Sequence, residues 1–306
     1  MTRHLLRAVL PAGALLLAGC FDGLTEPSLP ALRGVRPASF YSRNFPLAFA
    51  TSRDGNMEIY ATQTDNSAVR RLTNSATTDS RPAFSPDGRS ILWVSRRSGG
   101  DQDIWTSLDD GRKPTIVLEN AADESAPQWS PSGTSIVFAS NLPGNYEIYT
   151  MSATGTNVTR LTNDARSDSY PTWSPTGDLI AFQRITAGAL DLWVMNADGT
   201  GLRQLTTIHG SNPQWFPTGQ KLSFVAPVNG VSQIFTLDVA NQGQPVQVTF
   251  SAGNKWYPAV DVDGLVLAFT SAEGSPDFDI WTVNVNGTAE ARLFQNAGDD
   301  AFASWR

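Results

Sequence analysis

The stretch "PTWSPTGDLIAF", Pro171 to Phe182, runs from a tryptophan through a Ser-Pro-Thr-Gly corner into an apolar run, and returns as "PQWSPSGTSIVF" from Pro127 and "PAFSPDGRSILW" from Pro82. Proline at the second position of a turn fixes φ, and glycine near its end accepts positive φ. The corner therefore predicts a tight reversal between a strand ending at Trp173 and another starting at Leu179. A second hairpin corner recurs as Asp110-Gly111, Thr154-Gly155, Asp198-Gly199 and Asn286-Gly287.

Aligned on the residue before the first corner, the repeats fall at Phe84, Trp129, Trp173, Trp215, Val260 and Trp305, with spacings of 45, 44, 42, 45 and 45. A period this even marks a repeat architecture. The unit that opens with the quoted stretch holds four short runs, "SYPTW", "DLIAFQR", "LDLWVMN" and "GLRQLTT", rich in aromatic and β-branched residues as strands require. Four strands in each repeat of about 44 residues predict an all-β fold, a β-propeller of four-stranded antiparallel blades. Pro46 to Thr73 supplies strands two, three and four of a unit, whereas "AFASWR" at the end supplies only a first strand. Joined in space they complete one blade, so the ring is six-bladed and closed by pairing of the N- and C-terminal strands. A second closure takes "ASFYSRN" near Phe40 as the missing first strand and leaves Trp305 spare.

The units "SPDGRSILW", "NYEIYTMSATGTNVTRLTN" and "LDLWVMNADGTGLRQLTT" resemble the repeats of TolB-type propellers, and the resemblance covers residues 46–306. It implies the propeller fold and leaves the task open, because such repeats occur in periplasmic assembly proteins, in gating domains of peptidases and in surface proteins.

Residues 1–20 differ from the rest. Arg3 and Arg7 precede the apolar run "AVLPAGALLLAG", which is too short to span a bilayer as a mature helix. This reads as an export signal. Its end, Leu17-Ala18-Gly19-Cys20, resembles the lipobox of bacterial lipoproteins, which implies cleavage before Cys20 and lipidation of that cysteine. Cys20 is the chain's single cysteine, and a lone free thiol fits poorly in an oxidising compartment. Phe21 stands where family members retained at the inner membrane often carry Asp, so the outer membrane is the expected address. Residues 21–39, with Pro27, Pro30 and Pro37, read as a tether, and as a coil about eighteen residues span on the order of 24 Å. The propeller is assigned to 40–306.

The formal charge of −7, with no basic stripe, argues against nucleic acid, whose phosphates require clustered Lys and Arg. The signal carries two Arg and no acid, so its removal takes the charge to −9. Cys20 is the one cysteine and, beyond the signal, His209 the one histidine, which removes cysteine nucleophiles and multi-histidine metal sites. A Ser-His-Asp arrangement would run through His209, in "TTIHGSNP" between two blades, and no G-x-S-x-G elbow presents a serine. Paired carboxylates for glycoside chemistry remain open, since every blade brings acids. "SRDGNMEIY" lacks the spaced oxygens of an EF-hand, so no metal site is assigned there.

Two recurring sets stand out. Glu58, Asp103, Glu147, Asp191 and Asp279, with Gln233 in the sixth unit, lie two residues before Tyr60, Trp105, Tyr149, Trp193 and Trp281. Packing between repeated sheets accounts for them, with carbohydrate contacts as the alternative. Five residues before each anchoring position stand Asp79, Glu124, Asp168, Gly210, Lys255 and Asp300. In a six-bladed ring these share the entrance of the innermost strands. They are either turn caps or a charged channel mouth that attracts a cation such as calcium, or a basic segment of a partner.

The resulting expectation is a lipid-anchored cell-envelope propeller that binds another protein and needs no cofactor. A propeller hydrolase or lyase acting on envelope or extracellular polymers, and a glycan or small-ligand binder, are the alternatives.

Overall fold

The computed structural model describes residues 46–306, apart from 64–67, 98, 241–242, 294 and 296. Cys20, the signal, the tether and Phe40 lie outside the described residues. Blade 1 contains β1 (Leu47–Thr51), β2 (Glu58–Thr62) and β3 (Val69–Arg71). Blade 2 comprises β4 (Asp79–Phe84), β5 (Ser90–Ser95), β6 (Asp103–Leu108) and β7 (Thr115–Leu118). Blade 3 comprises β8 (Glu124–Trp129), β9 (Ser135–Ser140), β10 (Glu147–Ser152) and β11 (Thr159–Arg160). Blade 4 comprises β12 (Asp168–Trp173), β13 (Leu179–Thr186), β14 (Ala189–Asn196) and β15 (Arg203–Gln204). Blade 5 comprises β16 (Ser211–Trp215), β17 (Lys221–Val228), β18 (Val231–Asp238) and β19 (Val246–Gln247). Blade 6 comprises β20 (Lys255–Val260), β21 (Val266–Ser271), β22 (Asp279–Asn284) and β23 (Ala291–Arg292). The last strand, β24 (Asp300–Trp305), returns to blade 1.

The anchoring residues Phe84, Trp129, Trp173, Trp215, Val260 and Trp305 each end a blade's first strand, as the repeat predicts. The corner after them is a hydrogen-bonded turn. Gly88 N–H donates to Ser85 C=O at 2.8 Å with φ +64°, while Asp87 accepts from Ser85 Oγ at 2.7 Å and from Arg89 N–H at 2.9 Å. Closure follows the first of the two alternatives: β24 pairs antiparallel with β1, Leu47 opposite Trp305 and Thr51 opposite Asp300.

The core lies between blades. Ala48, Ala50, Ile59, Ala61 and Leu72 of blade 1 pack on Phe84, Ile91 and Trp93 of blade 2, and further clusters join the later blades and bring blade 6 back to blade 1. Second strands are covered on both faces, and "LAFAT" and "VLAFTS" are buried throughout. Fourth strands are only two to four residues long, exposed or half-buried, which leaves little free edge for unwanted pairing.

Candidate functional site

The acids at the start of the third strands are structural. Glu147 is buried and accepts from Thr162 Oγ1 at 2.5 Å, from Asp164 N–H at 3.1 Å and from Arg160 at 2.8 Å, all on or just after the fourth strand. Glu58 repeats this with Thr73, Ser75 and Arg71, and Gln233 substitutes for the acid by accepting from Thr249 Oγ1 at 2.6 Å. Their companions Tyr60, Trp105, Tyr149, Trp193 and Trp281 sit in the clusters between blades.

Asp79, Glu124, Asp168, Lys255 and Asp300 begin β4, β8, β12, β20 and β24, and Gly210 precedes β16. All five charged side chains are fully buried, and four are paired inside their own blades. Asp79 meets Arg97, Asp300 meets Arg53 at 3.3 Å, and Asp168 holds Arg184 through two contacts of 2.6 Å. In blade 6 the pair is reversed, with Lys255 Nζ 3.0 Å from Glu273 and 3.6 Å from Glu290. A bare charge in a protein interior costs several kcal/mol, so these four blades each supply a counter-ion, Arg184 from the second strand itself and Arg53, Arg97 and Glu273 from just beyond it. The acids are therefore spent on internal pairs, and the entrance does not present them as a free anionic ring. His209 is exposed in its interblade loop, and its backbone N–H donates to Asp191 at 3.2 Å.

Glu124 is the exception. Asn120 and Ser140 donate to one of its oxygens at 2.9 and 3.0 Å, while the other has no hydrogen-bond partner among the described residues. Burial, helped by the nearby charges of Asp103 and Asp123, pushes its carboxyl up to about 7.

Two residues further along each first strand lies a feature that the sequence reading missed. Arg81, Ala126, Tyr170, Asn212, Tyr257 and Phe302 all adopt left-handed φ, between +48° and +57°. In the five blades formed by consecutive strands, the pairing register slips at that position, as between Ser80 and Ala83. Left-handed φ is uncommon outside glycine and costs of order 1–3 kcal/mol at each site, and such strain concentrates at functional places. The bulge turns these side chains toward the axis, where they meet. Tyr170 stacks on Tyr257 with ring centres 6.0 Å apart, Tyr257 lies 4.3 Å from Phe302, and the Arg81 guanidinium sits 4.6 Å from the Tyr170 ring and 4.8 Å from that of Phe302. Burial and the neighbouring Tyr170 push the Tyr257 phenol well above its ordinary range. The sequence signal was present: proline follows the bulged residue in five blades, at 82, 127, 171, 213 and 258. Proline lacks the N–H that a regular ladder needs and so marks a bulge.

This layer bounds a small cavity of about 70 Å³ that also touches Gln128 and Gln214, and a second of about 190 Å³ lies beside the ends of the first strands. Both are smaller than the roughly 300–1,000 Å³ of typical small-molecule pockets. Arg81, Tyr170, Tyr257 and Phe302 each keep part of their surface exposed. Among the described residues no group of three or more His, Cys, Asp or Glu is placed to hold a metal ion.

Among solved structures, TolB from Acinetobacter baumannii superposes with a TM-score of 0.73 at 18% identity, over 85% of this chain and 66% of that one. A TolB of Agrobacterium tumefaciens gives 0.70 at 18%, over 84% and 92%. The TolB homolog of Chlorobaculum tepidum is 43% identical over 53 residues, which is 17% of this chain and 12% of that protein. The chain thus matches only a small part of that relative's length. Its repeats also match the model of the TolB β-propeller domain over residues 32–125 and 108–306, and with the six-bladed ring this leads to one conclusion: the chain belongs to the TolB β-propeller domain family.

Proposed function

We propose that this protein is a lipid-anchored, extracytoplasmic scaffold that docks another cell-envelope protein at the mouth of its channel. The channel layer carries the reading: strained, partly exposed aromatic side chains and one arginine converge around cavities too small for an ordinary free ligand but large enough for inserted side chains. Exposed aromatics and arginine are the residue types enriched where proteins bind proteins. A relative's name, Tol-Pal system protein TolB, supports a place in an envelope assembly. The lipobox-like end at Cys20 supports outer-membrane anchoring through acyl chains, each buried methylene contributing about 0.8 kcal/mol.

The test is capture from native membranes by the full-length protein, beside a variant carrying Tyr170→Asn and Tyr257→Asn. Asparagine occupies the same left-handed slot at Asn212, so the backbone tolerates it. A stoichiometric partner that is lost with the variant supports the reading. No partner, or capture indifferent to the two tyrosines, ends it. Mass spectrometry of the mature amino terminus should show acylated Cys20, and an unmodified terminus would leave a secreted soluble domain.

A further inference from the structure

Of the six side chains turned into the channel, Arg81 alone carries a charge. It also lacks the counter-ion that the arginines beside the entrance carboxylates have. Arg53, Arg97 and Arg184 each meet a buried carboxylate, whereas Arg81 has no ion pair and no hydrogen bond from its guanidinium among the described residues. Its planar group is held instead near the Tyr170 and Phe302 rings, 4.6 and 4.8 Å from their centres. Contact with aromatic rings restrains a guanidinium without using its N–H donors, which are a fork suited to a carboxylate. Around the ring the next blade contributes Ala126, the smallest of the six, so space opens beside the arginine. Gln128, Gln214 and Asn212 add amide donors and acceptors along the same cavity.

We propose that Arg81 is a specificity residue that receives the carboxylate of an acidic side chain inserted from a partner's peptide segment into the channel. The proposal rests on the protein-docking reading above and gives its partner a sign: acidic at the point of insertion. The cavity of about 70 Å³ favours a single side chain over a free sugar acid or nucleotide, and the flanking rings favour an apolar or aromatic neighbour in the same segment.

Selection of a random twelve-residue displayed peptide library on the full-length protein tests this, run in parallel on Arg81→Gln, Arg81→Lys and Ala126→Phe. The wild type should enrich Asp or Glu at one position by about tenfold or more, the factor that one charge-assisted hydrogen bond contributes. Arg81→Gln should lose that enrichment, and Arg81→Lys should keep only part of it. Ala126→Phe retains the charge but fills the neighbouring space, and Phe302 shows that the slot accepts phenylalanine, so this variant should also lose it. Thermal melts of all four proteins establish that each is folded. Enriched peptides with no acidic preference, or an acidic preference that survives Arg81→Gln, would overturn the carboxylate site and leave peptide docking standing. No enriched peptide on the wild type would overturn both.

Discussion

Glu124 and Asp168 occupy equivalent places in neighbouring blades and behave differently because of one partner. Asp168 has Arg184 across two contacts of 2.6 Å, while Glu124 has only Asn120 and Ser140. An acid whose folded value is raised is stabilised when protonated, so its contribution is fully present below the unfolded value and is lost as pH rises through the folded one. For Glu124 that window runs from 4.5 to about 7. Across it the wild type should lose on the order of 3 kcal/mol relative to Glu124→Gln, taking about 1.4 kcal/mol per unit. Urea unfolding of both proteins between pH 4 and 8 checks this, and parallel pH profiles would show that the carboxyl gains water or a counter-ion on ionisation. The same residue scale explains what was legible and what was not. The charged residues that open the first strands were visible in the sequence by their even spacing, but their counter-ions were not, since Arg97, which pairs with Asp79, and Glu273, which pairs with Lys255, lie beyond the second strand and only the hairpin brings them back.

At the scale of the element, the blades fit together through their second corners. Gly155, at φ +80°, lies so close to blade 2 that a Cβ would stand 1.9 Å from the Val117 carbonyl oxygen, whereas Gly144, at φ +111°, has open space around it. Both corners need positive φ, but only one also needs the missing side chain. Gly155→Ala should therefore lower stability by about 2 kcal/mol or more, and Gly144→Ala by clearly less, read as shifts in the urea midpoint. Equal shifts would mean that backbone strain alone sets the cost. The corners themselves were readable from Pro and Gly because turn chemistry is local. The bulges were not read from the alternating pattern, since a bulge shifts the phase of a strand by one residue and exchanges its faces.

At the scale of the whole molecule, β24 is the first strand of a blade whose other strands lie at the opposite end of the described chain. Its pairing with β1 is reinforced by Trp305, whose indole N–H donates to the Ala259 carbonyl of blade 6 at 3.1 Å, and by Arg306, which meets Asp109 of blade 2 at 2.7 Å. Removing residues 301–306 should open the ring, cost several kcal/mol and expose the edge of β1 to other chains. Thermal melts and light scattering would show it, and a truncated protein that melts like the parent would place the closure elsewhere.

Sequence by itself determined the all-β class, the six blades and the place of every first strand, because the turns and apolar runs of the meander repeat with the chain, while the choice between the two closures needed the pairing of β24 with β1. Tertiary structure decided the electrostatics of the channel. Four regularly spaced carboxylates cannot remain bare in a dry interior, so they and their counter-ions cancel inside the sheets or, at Glu124, burial favours the protonated form. One arginine at a strained bulge, set against Tyr170 and Phe302 and spared any such partner among the described residues, carries the charge that faces the axis.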